Sequence, residues 1–151
     1  MLDDLYFSMK VAELYRCFKE QMSHLDQSIP YTVRQICLYV QEYSGCCQED
    51  IARELVMDKS QLARNVRKAQ QMGLLERSVS PIDNRRAELY LCEKGKACNR
   101  ETVSAIHSWQ QAVMKDMTIS EKRQLVYLLE RLHVDLLRNS FSFHETAIKS
   151  H

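Results

Sequence analysis

The stretch MDKSQLARNVRKAQQMG, Met57 to Gly73, holds the side chains of this chain best spaced to do chemistry. At about 100° per residue, Leu62, Val66 and Ala69 fall on one arc of a helix. Ser60, Gln61, Arg64, Lys68 and Gln71 fill the opposite arc, with Asn65 and Arg67 at its margins. The apolar arc docks and the polar arc is displayed. An Arg can bridge the two acceptors of a guanine edge, Gln and Asn can pair with adenine, and Ser or Lys can hold a phosphate. The set fits a helix laid in the major groove of double-stranded DNA, which the helix's N-terminal residues enter most deeply. A merely solvated helix face has the same composition, so the flanking elements decide between the two readings.

Those elements favour the groove. Asp58 stands at an N-cap with Gln61 three residues on, and Gly73 suits the left-handed residue after the last turn. Upstream, Gln48 to Leu55 forms a short helix with Ile51, Ala52 and Leu55 apolar, and the turn at VMD makes the pair a helix-turn-helix. After Gly73 the hydrophobic period changes from helical to alternating. LLERSVS and RRAELYLC read as two strands about PIDN, with Ala87, Leu89 and Leu91 alternating against Glu88 and Tyr90. Asp83, Arg85 and Arg86 tip this hairpin. A hairpin in that place is a wing, able to lay an Arg in the minor groove.

The rest of the chain is helical. Asp3 and Asp4 cap a first helix to about Asp26, whose apolar residues (Leu5, Phe7, Met9, Val11, Leu14, Phe18, Met22, Leu25) occupy more than one stripe. Pro30 breaks it, and Thr32 caps a second helix with Val33, Ile36, Cys37, Val40 and Tyr43 facing inward, which Gly45 stops. Beyond the wing come a long helix over EKGKACNRETVSAIHSWQQAVMKDM and a last one with Leu125, Leu129, Leu132 and Leu136 at heptad-like spacing. The closing SFSFHETAIKSH shows no stable pattern. The expected fold is mainly α with a small β-hairpin wing: a winged helix-turn-helix over 31–92, a helical dimerisation region from 1–28 and 93–140, and a C-terminal tail over 141–151. A first helix apolar on several sides and a last helix with a Leu seam both call for a second chain, hence a homodimer.

Totals narrow the function. Three Gly and two Pro in 151 residues leave few places for loops, as in a single helical domain. The net charge of +1 gives no long-range pull on DNA, but 58–86 carries +4 and the remainder −3, so the cations are concentrated where the groove-reading helix and wing lie. The N-terminus lacks a basic n-region and no apolar run reaches bilayer length, which reads as a soluble, cytosolic protein without a membrane partner. Six cysteines lack paired CxxC spacing and are expected as thiols. His24 and His107 are isolated, with Gln111 one turn after His107, so no metal site is expected. A Gly-rich phosphate loop, an HExxH and a local Ser, His and Asp signature are all missing, so neither catalysis nor a cofactor is expected.

From about Ile29 to Leu132 the sequence resembles the MarR-type transcriptional regulators, most specifically through DKSQLARNVRKAQQMGLLERSVSPIDNRRAELYLCEKG. The family's D-x-R wing pattern stands here as Asp83, Asn84, Arg85, and the recognition-helix Arg of many members falls on Arg64. The resemblance implies that Asp83 orients the wing and Arg85 reaches the minor groove. It further implies a bacterial, cytoplasmic repressor, an obligate homodimer whose first, fifth and sixth helices form the interface, acting on a pseudo-palindromic operator. Members answer to aromatic acids or phenols in a crevice between dimer helices and winged domain, where Arg16, Tyr31 and Trp109 are residue types able to hold an anionic aromatic.

This chain departs from the pattern at Cys47 and Cys92, where members usually have Thr at the starts of the third and fifth helices. Sulfur caps poorly, but a thiol at a helix N-terminus has its pKa lowered by the dipole. That makes a thiol-based redox sensor the alternative. In the peroxide-sensing branch the reactive Cys lies near the start of the first helix, where this chain has Tyr6, with Cys17 further along. A winged helix used only for protein contacts is a further alternative, and it predicts an apolar displayed face.

Overall fold

The computed structural model describes residues 2–79 and 87–148, with the side chains of 2–4 and 135–148 outside that description. The caps expected at Asp3 and Asp4, the seam position Leu136, and the wing tip with Asp83, Arg85 and Arg86 therefore lie outside the described residues. In chain order the elements are α1 (Leu2–Met22), α2 (Tyr31–Glu42), α3 (Gln48–Glu54), α4 (Lys59–Gln71), β1 (Leu75–Val79), β2 (Ala87–Leu91), α5 (Glu93–Val113) and α6 (Ile119–Ile148).

One apolar core joins α2 to β2. Val33, Ile36, Cys37 and Val40 recur at helical spacing along α2 and are buried together with Ile51 of α3, Leu62, Val66 and Ala69 of α4, and Leu74, Leu75 and Leu89 around the hairpin. Each such Val, Ile or Leu contributes roughly 1.5–3 kcal/mol by leaving water. The strands pair antiparallel with Leu75 opposite Leu91 and Arg77 opposite Leu89. On its other edge β2 meets the loop after α2: Leu89 N–H donates to the Cys46 carbonyl at 3.0 Å and Gly45 N–H donates to the Leu89 carbonyl at 3.0 Å. Gly45 makes that approach with φ +81°, a conformation closed to most side chains.

The seating of α5 depends on its glycine. Cys92 N–H donates to the Leu74 carbonyl at 3.0 Å, and Lys94 Nζ reaches back to the Met72 carbonyl at 2.9 Å. Gly95 then presses against that same Leu74 carbonyl, and a Cβ there would collide with its oxygen and stand 2.7 Å from Leu91 Cδ2.

Several boundaries differ from the sequence reading, among them that of α5, which ends at Val113 rather than at Met117, with Met114 N–H donating to the Gln110 carbonyl at the C-cap. α1 ends at Met22, short of Asp26, because Gln27 Nε2 donates to the carbonyls of Met22, Ser23 and Leu25 (3.1, 3.1 and 2.6 Å) and so satisfies them without another helical turn. α2 starts one residue before Thr32, with Pro30 at its N-cap and no side-chain cap; the ring presets φ at −57° instead. Tyr43 is exposed because α2 ends at Glu42, and its ring lies 4.7 Å from that of Tyr39. α6 runs to Ile148, through most of the segment expected as a tail, since no Gly or Pro interrupts 119–148.

Candidate nucleic-acid interface

α4 is capped at both ends by its own sequence. Asp58 Oδ1 accepts the Ser60 and Gln61 N–H groups at 3.0 and 2.9 Å, and these bonds, that from Gln61 foremost, hold its carboxyl below the usual range. At the other end Gly73 (φ +71°) donates to the Gln70 carbonyl and Leu74 N–H to the Ala69 carbonyl, both at 2.9 Å, which is a Schellman motif.

The turn before α4 repeats that pattern with the wrong residue. Val56 N–H donates to the Arg53 carbonyl at 3.4 Å and Met57 N–H to the Ala52 carbonyl at 2.9 Å, with Val56 left-handed at φ +49°. A β-branched side chain there costs roughly 1–2 kcal/mol that a glycine would not.

Capped and docked through Leu62, Val66 and Ala69, α4 leaves Ser60, Gln61, Arg64, Arg67, Lys68 and Gln71 exposed and Asn65 half-buried at the margin. The sequence wheel placed each residue on the arc where it stands. Arg77 of β1 is exposed as well, extending the cationic surface from α4 onto the hairpin.

Cys47 and Cys92 are the N-cap residues of α3 and α5, at the expected positions, and their surroundings run against the redox alternative. The Asp50 carboxylate accepts from Cys47 N–H at 3.1 Å and from its thiol at 2.9 Å. Burial first, and that hydrogen bond second, push the Cys47 thiol up. Burial, then Glu76, push Cys92 up. Loss of solvent and a nearby carboxylate outweigh the helix dipole, so both thiols hold their protons at neutral pH. All six cysteines are thiols, and burial drives Cys37 up to about 12.

Of the three residues expected around an effector, the structure joins two. Phe18 stands edge-on to both Tyr31 and Trp109, with centroids 5.1 and 5.0 Å away, while Arg16 is exposed outside this group. Phe18 and Tyr31 line a cleft of about 240 Å³ together with Tyr15, Met22, Ile29 and Arg34. Arg34 went unread in the sequence. It is 2% exposed, and its guanidinium donates to Thr102 Oγ1 (2.9 Å), Cys98 Sγ (3.2 Å) and the Asp26 carbonyl (3.0 Å), none of them a carboxylate. Burying an Arg with only neutral acceptors is costly, and a cation among the apolar residues Val33, Ile36 and Cys37 was the available signal. His107 Nε2 pairs with Gln111 Nε2 at 2.9 Å, and among the described residues no group of three metal-binding side chains occurs. Among them, too, no helix is long and apolar enough to cross a membrane.

No family model matches the chain. Over 95 residues it is 34% identical to the HTH-type transcriptional regulator BilQ of Clostridium symbiosum (strain WAL-14163), covering 63% of this chain and 66%, just under two thirds, of that relative. The crystal structure of the transcriptional regulator SlyA superposes with a TM-score of 0.78 at 18% identity, over 91% of this chain and 98% of that one. A cysteine variant of E. coli MarR complexed with operator DNA gives a TM-score of 0.71 at 22% identity, over 85% and 91%. These likenesses carry the fold, and the 95 aligned residues carry the kinship to a helix-turn-helix regulator. By the two together, the chain has the winged helix-turn-helix fold of these regulators and is similar over part of its length to one of them.

Proposed function

We propose that this chain is a sequence-specific DNA-binding transcriptional regulator, a repressor that works as a homodimer on a pseudo-palindromic operator and is released by a small anionic effector. The observation that carries the reading is the exposed face of α4. Two cations, two amides and a hydroxyl (Arg64, Lys68, Gln61, Gln71, Ser60) stand on a helix rigidly capped at both ends, which is the donor set that base edges and phosphates require. A face meant for protein contact would carry aromatic or aliphatic anchors instead. The MarR variant similar in fold was solved complexed with operator DNA, which supports DNA as the partner proposed here.

Dimerisation is supported by the apolar side chains that one chain leaves open on α1 and α6. Two copies of α4 about one helical turn of DNA apart supply the cations that a net charge of +1 does not. The effector site is the cleft of Phe18, Tyr31 and Arg34, where a carboxylate or phenolate would meet a buried guanidinium and an aromatic ring would stack on the edge-on cluster. Raised thiols at Cys47 and Cys92 speak against a redox sensor.

The test is operator selection from a random DNA pool, followed by affinity measurement. Arg64→Ala should lose roughly 1–3 kcal/mol on the selected site and relax preference at one position per half-site. If that variant binds selected and random DNA as the parent does, α4 is not the reading helix.

A further inference from the structure

Asn99, on the first half of α5, is fully buried. Its amide N–H groups donate to the Cys37 carbonyl at 2.9 Å and to Gln41 Oε1 at 3.0 Å. Two acceptors fix which end of the amide is which, and they leave Oδ1 as the remaining atom. Among the described residues nothing donates to it. A buried acceptor without a donor is uncommon and costs stability, so a fold that retains one invites the question of what would satisfy it.

The surroundings answer with a cavity. Asn99 lines a cleft of about 380 Å³ between the end of α2 and α5, with Gln41, Arg100, Val103, Ser104 and His107 around it. Gln41 and Arg100 also line an adjoining cleft of about 500 Å³ that reaches Glu76 and Tyr90 at the base of the hairpin. The two form one trough, and it shares no residue with the aromatic crevice beside Arg34.

We infer that this trough is a second ligand site, and that its ligand is a small carboxylate bearing a hydroxyl or ammonium group on the adjacent carbon. The Arg100 guanidinium is exposed and offers parallel N–H donors to a carboxylate. Asn99 Oδ1 is buried, so the exposed Gln41 side chain swings aside first, and the neighbouring hydroxyl or ammonium then donates to this oxygen, which no described residue satisfies. Val103, 48% exposed, receives a short apolar substituent. A plain carboxylate lacks the donor and would turn oxygen toward oxygen, so the donor is the basis of selection.

Calorimetric titration of the full chain without DNA tests this directly, using L-lactate and L-serine as the donor-bearing probes and propionate as the one lacking a donor. Lactate or serine should saturate one site per chain, and whichever binds more tightly identifies the donor as hydroxyl or ammonium. Propionate should bind about tenfold or more weakly, and Arg100→Ala, a change to an exposed side chain, should weaken the donor-bearing ligand by about the same factor. The inference is overturned if neither lactate nor serine saturates, if propionate binds equally well, or if Arg100→Ala binds as the parent does. With no DNA present, none of these outcomes bears on the reading of α4.

Discussion

The winged-helix unit and the terminal helices use the same hydrophobic residues in opposite ways. In the unit, Val33, Ile36, Leu62 and Val66 are at most 1% exposed, whereas Leu5 and Phe7 of α1 stand at 60% and 57% and Leu129 and Leu132 of α6 at 53% and 46%. Both regions have helical period, so period alone does not separate them. The difference is that α2, α3, α4 and the hairpin close on one another, while α1 and α6 carry apolar residues on faces left exposed among the described residues. One chain thus completes the winged-helix unit, and the open apolar faces of α1 and α6 support the dimer proposed above. An uncovered apolar surface of this extent marks an interaction site.

The sharpest way to break that contrast is to charge the open seam. The parent should sediment at micromolar concentration with about twice the monomer mass. Leu129→Glu with Leu132→Glu should give a monomer, since two leucines at roughly 1.5–3 kcal/mol each are withdrawn from the interface, while circular dichroism stays helical. A parent that runs as a clean monomer would remove the distinction between the two regions. Next in size is Gly95→Ala, which forces a Cβ into the Leu74 carbonyl and should cost the winged-helix unit roughly 3 kcal/mol in chemical unfolding. Stability equal to the parent would mean that α5 is not clamped there.

A smaller effect of opposite sign is expected at the turn between α3 and α4. Val56→Gly should raise stability by roughly 1 kcal/mol, because it relieves a β-branched residue at φ +49° that is 40% exposed and gives up little burial. A thermal midpoint unchanged or lowered would show that the left-handed Val carries no strain. The smallest effect is at the α4 cap. The folded-state pKa of Asp58 is depressed, so its contribution is fully present above the ordinary Asp pKa and is lost as pH falls through the folded value. Asp58→Asn keeps a capping oxygen but cannot titrate, and it should flatten part of the acid limb of the stability profile. Glu13, Asp26, Glu49, Glu93 and Glu121 are also depressed and keep the rest of that limb. An acid limb identical to the parent's would exclude the Asp58 contribution.

The polar face that α4 displays was readable because a helix wheel, an Asp at the N-cap and a Gly after the C-cap all lie within seventeen residues. Arg34 and Asn99 were not readable. The partners that define them are 64, 68 and 62 residues away, and a lone Arg or Asn on a helix carries no sign of which residues will surround it. The cysteines fall between these cases. Their places at the starts of α3 and α5 followed from local pattern, but the direction of their pKa shifts did not, because burial is a property of the packed molecule.

The sequence by itself determined the order of elements, the docked and displayed faces of α4, the pairing of the two strands and the surplus of apolar surface at the termini. Each of these is a matter of period, capping and turn chemistry acting over a few neighbouring residues. Only the tertiary structure decided that Arg34 is buried on neutral acceptors, that Asn99 keeps an unsatisfied oxygen beside a trough, that Gly95 meets the Leu74 carbonyl and that the helix-start thiols stay protonated. Those outcomes depend on desolvation and on donors or acceptors brought in by elements distant in sequence, and no local pattern encodes which element arrives.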